Sequence, residues 1–167
     1  MASIEPRQFQ QLFSAHSAAL VLYASQWLEA GLAEDVVQEV FLRLISQRRG
    51  PQCGKAWLFV CVRNAAINQL RSLKRRQKHE GRLAERRSNW FEARPEDQLD
   101  AQQAQETLSA LPQEQREVIV LRIWAGMTLR EVADVVGQPI STVFSRYQAG
   151  LGAMRKKMEQ SCRTMND

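Results

Sequence analysis

Cysteine and histidine are too few and too scattered in this chain for chemistry to be read from their spacing. The three cysteines, Cys53, Cys61 and Cys162, form no C-x-x-C pair and are odd in number, so neither a disulfide framework nor a zinc site is expected. They read as reduced thiols, Cys61 on a helix and Cys53 in a loop. No serine or cysteine pairs recognisably with His16 or His79, and no glycine-rich loop is present to cradle a phosphate. Glu34, Asp35 and Glu39 fall close together, but nothing in the sequence supplies a metal to go with them. Catalysis, a cofactor, a metal and a small-molecule substrate are therefore not expected. Long apolar runs are missing as well, and the first residues, Met1 to Pro6, lack the basic and apolar regions of a signal peptide. A cytosolic location is the expectation. Strand-like alternation of useful length is absent too, which leaves an all-α fold.

What the chain does have is positive charge, unevenly placed. The formal net charge is +5 and the pI is about 9.5, a balance that favours a polyanionic partner. Arg71, Lys74, Arg75, Arg76, Lys78, Arg82, Arg86, Arg87 and Arg94 crowd one segment against only Glu80, Glu85 and Glu92, and the rest of the chain is close to neutral. From about Gln77 to Asp100 apolar residues are sparse, the composition of a linker or a solvated helix. Trp90 and Phe91 are its aromatic residues, with local packing, a domain surface or a partner as their possible contacts. Two small helical domains joined by a basic linker are expected, with boundaries at 1–76, 77–100 and 101–167. Each needs a tightly packed core at that size.

In the first domain, Leu12, Phe13, Leu20, Tyr23, Trp27 and Leu28 fit one long helix broken near Gly31. Ala33, Val36, Val37, Val40, Phe41, Leu44 and Ile45 repeat at three and four, which predicts an amphipathic helix with Glu34, Asp35, Gln38, Glu39 and Arg43 on its other face. Two glycines and a proline make 47–54 a loop. A third helix starts near Lys55 and passes without a breaker into the basic segment. In the second domain, helical pattern resumes at 101–111. Pro112 suits the first turn of a helix over 113–125, which Gly126 ends.

The last quarter carries the most specific pattern. Thr128 and Glu131 form a capping box, and Val132, Ala133 and Val136 mark the buried side of the helix it starts. Gly137 sits where a left-handed residue ends such a helix. Pro139 forbids continuation, and Ser141 or Thr142 can cap a second helix, in which Val143, Tyr147, Leu151 and Met154 recur at helical spacing. That leaves Ser141, Thr142, Ser145, Arg146 and Gln148 on the other face, able to donate to phosphates or base edges in a major groove. The pattern is that of a DNA-reading helix-turn-helix, or of a helical hairpin with a wet polar face.

Taken in order, these segments make the chain resemble a bacterial sigma factor of the sigma-70 family, extracytoplasmic-function group. Ala33-Glu-Asp-Val-Val-Gln-Glu-Val-Phe-Leu-Arg-Leu44 is similar to the family's core-polymerase-binding region. Trp57-Leu-Phe-Val-Cys-Val-Arg-Asn-Ala-Ala-Ile-Asn-Gln-Leu-Arg71 is similar to its minus-ten reading and melting helix. Leu111-Pro-x-x-x-Arg116 through Arg155 is similar to its minus-thirty-five domain. The resemblance implies a transcription initiation factor with core RNA polymerase and promoter DNA as partners, touching the polymerase at the beta-prime clamp helices and the beta flap. It implies that Asp35, Gln38, Glu39 and Leu42 face the clamp helices, an acidic and amide stripe beside an apolar edge. Trp57, Asn64, Asn68, Arg71, Lys74 and Arg75 fall where the family grips opened minus-ten DNA, with a base pocket at the loop 47–54. Arg130, Ser141, Thr142, Ser145, Arg146, Gln148 and Arg155 fall on the minus-thirty-five side, with Arg122 as a further cation. An anti-sigma factor that covers the polymerase-binding surfaces, and that can hold the protein at the membrane, is expected by the same resemblance. So is an association with polymerase at the nucleoid.

The chain departs from the family pattern in three places. Asn68 replaces the usual aspartate, and Phe144 and Ala149 stand where basic residues are favoured. Phe144 can meet a thymine methyl, its own domain or a partner protein. The rival class is a self-sufficient helix-turn-helix regulator binding paired half-sites as a dimer, and the stripe of Asp35, Gln38 and Glu39 has no use in one. An adaptor binding only proteins has no use for the basic segment.

Overall fold

The computed structural model describes residues 4–46, 54–81 and 98–164. The loop with Cys53, the stretch with Trp90 and Phe91, and the side chain of Cys162 lie outside the described residues. The chain divides into two compact units, Met1–Trp90 and Phe91–Asp167. Every regular element among the described residues is a helix, as composition and periodicity imply. None of these helices is long and apolar enough to cross a membrane.

The first unit is built from α1 (Pro6–Ala24), α2 (Ala30–Ser46) and α3 (Lys55–Glu80). Pro6 opens α1, where its missing amide hydrogen costs nothing. The break after α1 comes before Gly31, at Ser25. That residue donates its hydroxyl to the carbonyl of Val21 at 2.8 Å, and the chain then turns through Gln26, Trp27 and Leu28. Gly31 instead sits in the first turn of α2, with open space around it. Nothing there requires a glycine, so its presence did not mark the break.

Leu20, Tyr23, Leu44, Leu58, Phe59 and Val62 fill the centre of this unit and are fully covered. Tyr23 packs against both Trp27 and Phe59. Phe9 and Phe13 of α1 close around Phe41 of α2, with Phe13 and Phe41 ring centroids 5.0 Å apart in an edge-on arrangement. The predicted apolar stripe of α2 is buried from Ala33 to Leu44, but Ile45 is exposed. α3 runs on past its apolar half to Glu80, where Gly81 terminates it in the left-handed conformation at φ 66°.

The second unit contains α4 (Gln98–Ser109), α5 (Gln113–Ile119), a π-helical turn (Val120–Trp124), α6 (Leu129–Val136) and α7 (Ile140–Thr164). Pro112 precedes the first turn of α5 rather than lying in it. The helix read over 113–125 is present, but it widens at its end. The amide of Ala125 reaches the carbonyl of Val120 at 3.1 Å, a five-residue step that marks a π turn. Arg122 steadies the exit by donating to the carbonyl of Met127 at 3.0 Å. Leu108, Leu111 and Ile119 form a core against which Tyr147, Leu151 and Met154 of α7 pack, so the helical stripe read along α7 is its buried side.

Candidate functional site

Two surfaces carry the residues singled out by sequence, one in each unit. In the first unit, burial of Val36, Val37, Val40, Phe41 and Leu44 turns the opposite face of α2 to solvent. Asp35, Gln38, Glu39 and Leu42 all lie exposed on it. Leu42 is 65% exposed, an apolar side chain that its own unit leaves uncovered. Glu39 is ion-paired with Arg43 one turn on, which orients both charges along the helix.

α3 faces this helix with a polar stripe. Leu58, Phe59, Val62 and Ala66 are buried, which places Trp57, Cys61, Asn64 and Asn68 on the other side at spacings of three and four. Between α2 and α3 lies a cavity of about 450 Å³ lined by Glu39, Val40, Arg43, Trp57, Cys61, Asn64, Ala65, Asn68 and Gln69. Trp57 is half-buried at its edge rather than in the core. The cavity therefore gathers Trp57, Asn64 and Asn68 beside Glu39 of the α2 stripe. Arg71, Lys74 and Arg75 lie farther along α3 and do not line it. Arg43, Cys61 and Gln69 were missed as lining residues. The recurrence of Trp57, Cys61, Ala65 and Gln69 every fourth residue of α3 was the signal that could have found Cys61 and Gln69; for Arg43 it was the spacing of one turn from Glu39 on α2. The loop 47–54, expected to build a base pocket, lies outside the described residues except for Gly54.

In the second unit the capping box forms as read. The hydroxyl of Thr128 accepts from the amide of Glu131 at 3.2 Å, and the Glu131 carboxylate accepts from the amide of Thr128 at 2.7 Å. Gly137 then takes a φ of 67°, a conformation that costs a side-chain-bearing residue energy. α7 begins at Ile140, earlier than a Ser141 or Thr142 cap allows. Pro139 supplies the first accepting carbonyl, to Val143 at 3.1 Å, and the Ser145 hydroxyl donates back to the carbonyl of Ser141 at 3.0 Å. The two hydroxyl residues are thus helical, and neither caps.

Ser141, Ser145, Gln148 and Arg155 are exposed on α7, and Arg130 is exposed on α6. Thr142 and Arg146 are half-buried. Arg146 turns from the exposed face towards α5, where its guanidinium meets the carboxylate of Glu114 at 3.2 Å. The positions that sequence reading put together on one polar face are thereby divided. Phe144 and Ile140, by contrast, are 46% and 44% exposed and stand among the serines. Arg116 of α5 donates to the carbonyl of Leu111 at 3.3 Å, and burial lowers its pKa.

Comparison with known proteins places both units in one lineage. Residues 12–76 match the model of Sigma-70 region 2, and residues 101–154 match that of Sigma-70, region 4. The ECF RNA polymerase sigma factor SigL of Mycobacterium tuberculosis is 28% identical over 169 residues, covering 95% of this chain and 93% of that protein. The ECF RNA polymerase sigma-E factor of Haemophilus influenzae is 26% identical over 156 residues, 85% of this chain and 82% of its own. Among solved structures, the sigma factor RpoE from Bartonella quintana, in complex with the anti-sigma factor NepR, matches with a TM-score of 0.72 and 26% identity. That match covers 90% of this chain and 95% of that one. CnrH, in complex with the cytosolic domain of CnrY, matches at 0.66 and 25% identity over 95% and 92% of the two chains.

Proposed function

The chain belongs to the sigma-70 family of RNA polymerase sigma factors, in the extracytoplasmic-function group of its relatives, and from that premise we propose how its two surfaces divide the work of initiation. A sigma factor joins core RNA polymerase, directs it to promoters and helps open the DNA. In this chain the exposed face of α2 meets the polymerase, with Asp35, Gln38 and Glu39 pairing to a basic helix pair and Leu42 docking as the apolar anchor. The partner is the beta-prime clamp helices, while the second unit rests on the beta flap.

The observation that carries this reading is the cavity between α2 and α3. It is lined by Glu39 of α2 on one side and by Trp57, Asn64 and Asn68 of α3 on the other, and in this reading the first wall belongs to the polymerase-facing helix while the second serves the minus-ten strand. Polymerase binding and DNA opening then share one helix pair. Amides can hydrogen-bond base edges and a tryptophan face can stack, while Arg71, Lys74 and Arg75 neutralise the backbone beyond. Capture of unstacked bases offsets the few kcal/mol that each costs to extrude. α7 fixes position at the minus-thirty-five element from the major groove.

An anti-sigma partner holds the protein inactive by covering the α2 face, and the same partner can keep it at the membrane, away from polymerase at the nucleoid; that the similar RpoE is in complex with an anti-sigma factor supports the existence of such a partner. Leu42→Glu tests the polymerase face. Because Leu42 is exposed, the variant should fold normally yet bind core polymerase at least tenfold more weakly, the scale on which a desolvated interface anchor acts. Unchanged core affinity would remove α2 from the interface.

A further inference from the structure

We infer that the minus-thirty-five reader of this chain selects thymine by apolar contact, through Phe144 assisted by Ile140, rather than guanine by a basic side chain. The inference rests on the reading of α7 as the helix that enters the major groove. From Ile140 to Gln148 the exposed side chains of α7 are two hydroxyls, an amide and two large apolar groups. The one cation in that span is Arg146, which is half-buried and paired with Glu114 at 3.2 Å. An arginine paired with a neighbouring helix must give up that pair before it can make the bidentate contact to guanine that is the commonest specific contact in the groove, whereas Phe144 and Ile140 are already presented.

Phe144 lies one turn after Ile140, between Ser141 and Ser145 in sequence and one turn before Gln148. These positions share one face because α-helix residues three and four apart are neighbours. Its ring is left nearly half uncovered, although Val143, Tyr147, Leu151 and Met154 of the same helix all turn inward. In a major groove only thymine offers an apolar group, its C5 methyl, and a phenyl edge or an isoleucine branch covers it with no hydrogen bond to satisfy. Two apolar side chains ringed by serines and a glutamine make a small centre for a protein interface, but they match the size of one or two methyl groups. Ser141, Ser145 and Gln148 then supply the adaptable polar contacts around them.

The experiment uses the complete holoenzyme and a promoter that it selects from a randomised library. Each thymine of the minus-thirty-five element is replaced in turn by deoxyuridine, which removes the methyl and leaves the pairing edge intact. The wild-type protein should bind about threefold to fourfold more weakly when the contacted methyl is removed, the scale of one buried methyl. Phe144→Ala should weaken binding to the thymine promoter by at least as much and abolish its response to deoxyuridine. Phe144→Leu should keep part of that response. If the element matters but every deoxyuridine substitution leaves wild-type affinity unchanged, the inference is overturned and α7 reads by polar contacts. If Phe144→Ala lowers core-polymerase affinity and leaves promoter discrimination intact, the side chain faces a protein and the inference is again overturned. If scrambling the whole element changes nothing, the reading of α7 as the minus-thirty-five reader fails with it.

Discussion

Gly150 and Gly152, two residues apart in α7, should respond differently to the same substitution. A methyl group added at Gly150 would meet Ile119 Cγ1 at 3.0 Å and Cδ1 at 3.2 Å, whereas one added at Gly152 would meet nothing within 4 Å. Both glycines are helical, so alanine gains about 1 kcal/mol of helix propensity at either site. At Gly152 that gain stands alone. At Gly150 the closer approach is to a branch atom of Ile119 near its backbone, which cannot retreat by rotation of the terminal methyl alone. Overpacking of this kind costs about 1–3 kcal/mol. Gly152→Ala should therefore stabilise the second unit by about 1 kcal/mol, while Gly150→Ala should range from neutral to about 2 kcal/mol destabilising. For a unit of this size each kcal/mol corresponds to roughly 4–8 °C in melting temperature. Amide hydrogen exchange across α5 and α7 in the full chain isolates the unit concerned. Equal stabilisation by both substitutions would show that α5 and α7 do not approach as closely as the packing of Gly150 on Ile119 requires, and that the recognition helix is not seated in this way.

Thr128→Ala removes the acceptor for the Glu131 amide and should cost about 1 kcal/mol, read as faster exchange at the start of α6; unchanged exchange would mean that the cap contributes nothing. His16 is partly buried, and its pKa is lowered by desolvation first and by Lys55 of α3 second. A lowered folded pKa means that the unfolded state binds the proton more readily, so stability is full above the unfolded value near 6.5 and declines as pH falls through it. His16→Gln should flatten that part of the stability-versus-pH curve of the first unit, and a curve parallel to wild type would discount the effect. Replacing Arg71, Lys74 and Arg75 by alanine should reduce the salt dependence of open-complex stability by about 0.7 in log–log slope for each single-strand phosphate that is no longer neutralised; an unchanged slope would move these side chains off the DNA.

Legibility followed the range over which each feature is encoded. The capping box of Thr128 and Glu131, the left-handed Gly137 and the stop at Pro139 are local chemistry, and they form at the residues where the sequence places them. The buried side of α7 follows from the same short-range period. Gly31 misled because glycine permits a break without requiring one; the turn came instead where Ser25 could bond back to Val21. The π turn at 120–124 has no signature in its composition, for Val-Leu-Arg-Ile-Trp continues a helical pattern, and its widening shows only in the backbone bonds. The pairing of Arg146 with Glu114 joins two helices far apart in sequence, beyond the reach of periodicity. Placing Arg146 on the solvent face was reasonable for an isolated helix, and the packing of α5 against α7 overrode it. The cavity between α2 and α3 likewise depends on two helices meeting, although each wall separately carries its residues at helical spacing.

Reconstituted transcription decides whether this chain directs polymerase to promoters. Core RNA polymerase, this protein, nucleoside triphosphates and a promoter library are combined, with permanganate footprinting to detect unpaired thymines near the start site. Promoter-specific transcripts and an opened minus-ten region should both depend on this protein, and both should disappear with Leu42→Glu. Absence of any specific transcript, together with tight binding of the protein alone to paired duplex half-sites, would contradict that role and leave an independent helix-turn-helix regulator in its place.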